Sequence, residues 1–243
     1  MAREAAALAE RLALPVLRIA EIAPDDLVLV MGPRGLELRA GDAALRNGAW
    51  VDFSARRIPA AGRPRRGHAD AGQPLRRALG RRPGFVVDAT AGFGDDTIAL
   101  ASWGHRVLAV ERSPVVAELL ADGLRRALAD PALAELAARI TLRCADATTA
   151  LRALECPPDV VYIDPMFAAE RTSSALPRKK IQLLRRLVGT DDDAAELVAC
   201  ALASGARRVV VKRSLRAEPL AGRPSASYRG KLIRYDVHVQ SRK

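Results

Sequence analysis

An open, largely parallel α/β sheet, preceded by a small α+β module, is the fold class that this sequence of 243 residues predicts. Three observations predict it. From Phe85 onward, short apolar runs alternate with helical segments, which is the βα order of a parallel sheet. The first run ends in an acid followed by a glycine-containing turn, Asp88-Ala89-Thr90-Ala91-Gly92-Phe93-Gly94, directly before a helix. Acids then recur at the ends of the next two runs, the edge at which open α/β sheets bind their ligands.

The N-terminal module spans 1–53. Residues 3–14 read as an alanine-rich amphipathic helix. Residues 27–31 and 36–38 read as strands joined by the turn Gly32-Pro33-Arg34-Gly35, and 49–53 as a third strand with Trp50 and Phe53 in the core. The composition changes over 54–84, where nine arginines (56, 57, 63, 65, 66, 76, 77, 81 and 82) face the single acid Asp70. Such a segment can be a solvated linker. Clustered guanidiniums also suit phosphate oxygens, and the position directly before the glycine turn favours a phosphate-binding arm. Within it, 73–79 reads as a short helix with Pro74 in its first turn.

The main domain, 85–243, carries strands at 85–89, 105–110, 140–144, 160–163 and 208–212. Helices are expected at 95–102, at 114–128 after a Ser113 cap with Pro114 at the first helical position, at 180–187 and at 192–202. Residues 228–239 read as a closing antiparallel pair broken near Arg229-Gly230.

Composition bounds the function. At 49% hydrophobic the chain can bury a large core, and no apolar run is long enough to span a bilayer. No signal-peptide layout opens the chain, so a soluble cytoplasmic protein with no membrane partner is expected. Cys144, Cys156 and Cys200 are odd in number and lack metal-ligand spacing, which predicts small packing residues and no metal. The net charge of +11 favours a polyanionic partner, with nucleic acid foremost. A GC-rich coding bias would explain arginine in place of lysine, but not the surplus of positive charge.

The polar residues at strand ends define a candidate site. Asp88 ends the first strand, and Gly92 and Gly94 let the backbone approach a ligand. Glu111 ends the second, placed to accept both hydroxyls of a ribose, and Asp146, just past the third, can accept from an adenine amine. Each acid alone reads as a helix cap or loop residue; three in successive register point to a ligand. Asp95 and Asp96 put negative charge where a dinucleotide's pyrophosphate would sit, which argues against NAD or FAD. They suit a cationic ligand such as S-adenosylmethionine.

After the fourth strand comes Asp164-Pro165-Met166-Phe167, which resembles the Asp/Asn-Pro-Pro-Tyr/Phe motif of amino-methyltransferases. A base's exocyclic amine is a poor nucleophile, because its lone pair is delocalised into the ring. Hydrogen bonds to the Asp164 carboxylate and the Pro165 carbonyl would localise that pair and aim it, while Phe167 would stack on the base. In isolation the tetrapeptide also reads as a turn followed by core.

From Asp52 to the C-terminus the chain resembles the 16S ribosomal RNA guanine-N2 methyltransferases known as small-subunit methyltransferase J. The resemblance rests on Asp88–Gly94, on Glu111-Arg112-Ser113-Pro114-Val115-Val116, on Val161-Tyr162-Ile163 with the Asp164–Phe167 tetrapeptide, on Leu187-Val188-Gly189, and on Val209-Val210-Val211-Lys212-Arg213. It implies a class I S-adenosylmethionine-dependent methyltransferase (Rossmann-like) fold that modifies one guanine near the 3′ end of 16S rRNA. The substrate would be that RNA, the small ribosomal subunit or an assembly intermediate, with no obligate protein partner. The cofactor contacts it implies are Asp95, Asp96, Glu111, Arg112, Asp146, Ala147 and Asp164. Three departures stand out: Asp95 replaces a common basic residue, Ala168 replaces a proline, and Arg65–Ala71 is poor in glycine.

Arg171, Arg178, Lys179 and Lys180, together with Lys212, Arg213 and Arg216, fall at the ligand edge and read as RNA phosphate contacts. Asp191-Asp192-Asp193 reads as an acid cluster at a helix N-terminus, and His68, His105 and His238 receive no role. Alternatives within this reading are methylation of another nucleic-acid amine, such as adenine N6, and a non-catalytic RNA-binding protein of the same fold. An oxidoreductase is disfavoured by Asp95-Asp96.

Overall fold

The structure, a computed structural model, describes residues 2–41, 48–54, 73–166 and 179–240. Arginines 56, 57, 63, 65 and 66, His68, Phe167, Ala168, Arg171 and Arg178 lie outside the described residues. The chain opens with α1 (Ala2–Leu12) and then forms a two-stranded antiparallel sheet from β1 (Leu27–Gly32) and β2 (Gly35–Ala40). The turn works because Gly35 takes φ 101°, a conformation open to glycine.

The expected third strand does not form. Ala49 makes one isolated bridge to Leu38, and the chain then leaves the ladder. Its alternating apolar residues are buried, but against a helix: the Val51 carbonyl accepts from Arg126, and Val51 lies so close to Gly123 that a Cβ there would sit 2.2 Å from Val51 Cγ1. The Arg126 side chain of α4 has taken the Val51 carbonyl that a ladder would have used. Phe53 is core, as expected; Trp50 is half-buried beneath the Arg34 guanidinium, 3.9 Å from its ring.

After α2 (Pro74–Leu79) come β3 (Phe85–Asp88), α3 (Asp95–Ser102), β4 (Arg106–Glu111), α4 (Pro114–Ala129), α5 (Ala134–Ala137), β5 (Ile140–Cys144), α6 (Ala147–Arg152) and β6 (Val160–Ile163). The chain continues with α7 (Lys179–Val188), α8 (Ala194–Ala203), β7 (Arg208–Ser214), β8 (Ala226–Arg229) and β9 (Ile233–Val239). The large sheet has the order β5-β4-β3-β6-β7-β9-β8, parallel except for the β7-β9-β8 edge. Ser113 caps α4 by accepting from the Val116 N–H, ahead of Pro114 at the first position.

Both faces of this sheet are covered, which is why its strands read as nearly continuous apolar runs. One face packs Val86, Val107, Tyr162, Val210 and Tyr235 with Leu75 and Leu79 of α2 and Leu100 of α3. The other packs Val87, Leu108, Val110, Val161, Ile163, Val209 and Val211 with Leu151 of α6 and Val198 of α8. Each such side chain contributes about 1.5–3 kcal/mol of burial. A third cluster joins the N-terminal hairpin to α4, combining Leu36, Leu38, Val51 and Phe53 with Leu119, Leu120 and Leu124. Asp122 fixes this joint by accepting from the Leu36 N–H at 3.0 Å. Fully buried Glu37 is neutralised by Arg34 and Arg39. The cysteine expectation needs correction. Cys144 and Cys156 are exposed and only Cys200 is half-buried, because Cys144 ends the edge strand β5 and Cys156 lies in the loop before β6.

Candidate active site

The chain runs from β3 outward to β4 and β5, then returns to place β6 on the opposite side of β3. This reversal opens a crevice beyond the carboxyl ends of β3 and β6. A cavity of about 1140 Å³ occupies it, walled by the turn after β3, the ends of β4 and β6, α7, the start of α8 and the loop after β7. Pockets for one small ligand run to roughly 1,000 Å³. There is room for a cofactor with a base beside it.

Asp88 sits beneath the glycine turn, buried, and accepts from Thr97 Oγ1 at 2.6 Å. Burial is the main cause that pushes its pKa up to about 7, with Asp96 and Asp164 adding repulsion. Asp88 and Gly94 do not reach the cavity wall. Gly94 is required for a different reason from the one expected: it has φ 76°, and a Cβ would lie 2.6 Å from Leu120 Cδ1 and 3.2 Å from Phe53 Cζ. Gly92 does face the cavity, with φ 54° and Leu184 Cδ2 3.7 Å from where its Cβ would be.

Glu111 is a wall residue whose two oxygens tie the site together. Oε2 accepts from the Gly92 N–H at 2.9 Å and Oε1 from the Ser113 N–H at 2.8 Å. Burial raises its pKa, and these two bonds oppose the rise. Each oxygen keeps a further lone pair for a ligand hydroxyl. Asp146 caps α6 through Oδ1, which accepts from the Thr149 N–H at 2.8 Å and from Thr148, and these bonds lower its pKa. Asp146 and Ala147 both line the cavity, as do Asp95, Asp96, Glu111, Arg112, Asp164 and Pro165.

The centre of the site is a chain of charges. The Asp164 backbone N–H donates to Thr90 Oγ1 at 2.7 Å, fixing the end of β6 against the glycine turn. Lys212 Nζ, from β7, donates to Asp164 Oδ2 at 2.7 Å and to Asp96 Oδ2 at 3.0 Å; Tyr162 Oη donates to Asp96 Oδ2 at 2.6 Å. Burial raises the Asp164 pKa to about 6, and the ammonium of Lys212 opposes that rise. Asp164 keeps 37% of its side chain open to the cavity, so water moderates the burial. The two carboxylates raise the Lys212 pKa against the opposite pull of burial, which keeps the amine charged. Burial also raises Tyr162, and raises Tyr235 to about 12, so both phenols stay protonated.

Lys180, Lys212, Arg213 and Arg216 line the cavity at the expected edge, but several of these cations are engaged within the protein. Lys212 is committed to Asp164 and Asp96. Arg213 is buried and donates to the Glu218 carbonyl at 2.7 Å. Lys180 lines the cavity but bridges to Asp95 at 3.2 Å and lies 4.7 Å from the Phe93 ring centre. Arg112 pairs with Asp191, and with Asp193 at 3.0 Å. Asp191 was missed as a site residue. Besides standing before α8, it accepts from the Met166 N–H at 2.6 Å, and its own N–H donates to the Met166 carbonyl at 2.9 Å. The loop after β6 is thereby pinned to Arg112. Three adjacent aspartates gave no sign of which would turn inward, because the partner Arg112 lies 79 residues away in sequence.

The donor set fits S-adenosylmethionine. Carboxylates ring the cavity, while Ala89, Ala147 and Leu197 give it apolar wall. Comparison with known proteins agrees. Residues 8–240 match the family described as "Putative SAM-dependent methyltransferase". The chain is 31% identical to a crystallised SAM-dependent methyltransferase from Neisseria gonorrhoeae, covering 98% of this chain and 92% of that one with a TM-score of 0.70. Fold and site therefore define an S-adenosylmethionine-dependent methyltransferase.

The relation is closer still to proteins named ribosomal RNA small subunit methyltransferase J. One, from Thioalkalivibrio sulfidiphilus, is 45% identical over 97% of this chain and 92% of its own; another, from Yersinia enterocolitica, is 42% identical over 88% and 85%. The chain belongs to this family.

Proposed function

We propose that the protein transfers a methyl group from S-adenosylmethionine to the exocyclic N2 of one guanine near the 3′ end of 16S rRNA, acting in the cytoplasm on that RNA or on the small subunit that contains it. The observation that carries this reading is Asp164-Pro165 at the end of β6, with its carboxylate held by Lys212 in the same cavity as Glu111. The relatives' name supplies the RNA.

In this reading Glu111, Asp146 and Ala147 hold the cofactor's nucleoside, with Asp95, Asp96 and Arg112 around it. The bound cofactor supplies a methyl group on an electron-poor sulfur. Lys212 occupies one oxygen of Asp164, so the other is left to accept from the amine, while the Pro165 carbonyl accepts its second hydrogen. The lone pair then points at the methyl carbon. As the nitrogen–carbon bond formed, the sulfur–methyl bond would break to leave a neutral thioether, the nitrogen would gain positive charge that the ionised Asp164 stabilises, and the surplus proton would leave to that carboxylate or to cavity water. Phe167, the residue after the described segment, is assigned to stack on the base. We divide the chain accordingly into a supporting module (1–53), an RNA-phosphate arm (54–84) and the methyltransferase domain (85–243).

The test is to map methylated nucleosides in rRNA from cells lacking the protein. One N2-methylguanine near the 3′ end of 16S rRNA should disappear, return with the wild-type gene, and stay absent with Asp164→Ala. An unchanged methylation map, or restoration by Asp164→Ala, would refute the reading.

A further inference from the structure

Among the described residues, nine large apolar side chains are exposed, and three of them, Ile181, Leu215 and Leu232, line the mouth of the catalytic cavity. Leu232 is the most exposed of the nine, at 82% of its surface. It stands in the link between β8 and β9, beside exposed Arg229 and Lys231, and faces the loop that carries exposed Arg216. An apolar side chain in water at the lip of a polar site, with cations on either side, suits a partner with an apolar face and an anionic backbone. An unstacked RNA strand has both.

The mounting of this leucine is rigid. The Gly230 N–H donates to the Ile233 carbonyl at 2.7 Å, closing the tip. Two residues beyond Leu232, Arg234 is buried and paired with Asp236 at 2.9 Å. Its guanidinium donates to the carbonyls of Ser214 at 2.7 Å, Leu215 at 2.9 Å and Ala217 at 2.6 Å. The brace locks the hairpin to the loop carrying Leu215 and Arg216, so both sides of the lip hold their positions before any substrate arrives. Ser227 adds a 2.9 Å hydrogen bond to Asp236.

We propose that Leu232 is the wedge that holds the RNA open: it fills the gap left in the base stack when the target guanine turns into the cavity, with Arg216, Arg229 and Lys231 on the flanking phosphates. This rests on the reading that the substrate is a base in small-subunit RNA. Extracting a base loses its stacking, and an apolar side chain inserted at the vacated step recovers part of that loss. Leu215 and Ile181 flank the same opening and limit how far the neighbouring bases can follow.

The test uses the full-length protein and whichever form of the RNA, naked or in the subunit, the wild type methylates. 2-Aminopurine is placed next to the methylated guanine, so that its fluorescence rises when the stack opens. Leu232→Ala should lower kcat/KM for the RNA by about 10- to 100-fold, the worth of one buried leucine side chain. It should also abolish most of the fluorescence rise and leave S-adenosylmethionine affinity unchanged. Leu232→Met, of similar length and volume, should retain both signals to within about threefold. Wild-type kinetics and fluorescence in Leu232→Ala would overturn the wedge, as would lost activity with a full fluorescence rise. If the wild type methylates no guanine in this RNA, it is the proposed function that fails.

Discussion

Replacing Lys212 with methionine tests the charge chain directly. Lys212 Nζ lies 2.7 Å from Asp164 Oδ2 and 3.0 Å from Asp96 Oδ2, and methionine keeps much of its length while removing the charge. An opposite charge this close holds a carboxyl pKa down by about 1–3 units, so its loss should carry Asp164 from about 6 to roughly 7–9. Among the described residues, Lys212 is the cation named among the main influences on Asp164. The groups that face Asp164 are Asp88, Asp96 and Asp191, which repel a second negative charge, and the neutral phenols Tyr162 and Tyr235. The sign follows. Asp164 works ionised, so activity is present above its pKa and lost as pH falls through it. At pH 7 about nine-tenths of the wild type carries an ionised Asp164, against about one-tenth of a variant whose pKa is near 8, a roughly tenfold loss. The assay is kcat/KM for methyl transfer from radiolabelled cofactor, followed from about pH 5.5 to about 8.5. The acid limb should move upward in Lys212→Met and stay near its wild-type position in Lys212→Arg. Coincident limbs in the wild type and Lys212→Met would refute the reasoning.

Glu111→Ala should weaken S-adenosylmethionine binding about 10- to 150-fold in isothermal titration, the worth of hydrogen bonds to a charged group; unchanged affinity would remove Glu111 from the cofactor site. Gly94→Ala should lower stability by about 2–5 kcal/mol, adding the cost of a left-handed alanine to the overpacking against Leu120 and Phe53. Urea denaturation measures this, and a midpoint equal to that of the wild type would show that the turn can move aside.

The large sheet could be read from sequence because both of its faces are buried. Phe85-Val86-Val87, Val160-Val161-Tyr162-Ile163 and Val209-Val210-Val211 are apolar whichever way their side chains point, so no tertiary knowledge was needed. The strand expected at 49–53 had the right periodicity, but a hydrogen-bonding partner cannot be read from periodicity, and here α4 took that place. Glu111, Asp146 and Asp164 fell in the cavity wall because topology fixes where strand ends lie, whereas Asp88 turns under the glycine turn to Thr97. Lys212 was legible as a basic residue at the right edge and illegible as the partner of Asp164, because its reach depends on β7 lying beside β6. Asp191 was hidden for a similar reason: its partners Arg112 and Met166 are far from it in sequence.

The joint between the N-terminal hairpin and α4 has a consequence for how the molecule holds together. Phe53 is buried under Gly94, while Leu75 and Leu79, beyond the segment 55–72, are buried against the sheet. Both roots of that segment are therefore anchored in packed interior. A peptide bond cut between 55 and 72 would separate the chain into two pieces, each still gripping the other through Leu36, Val51, Asp122 and Gly123. The hairpin is bound to the catalytic domain as a subunit is bound to its partner.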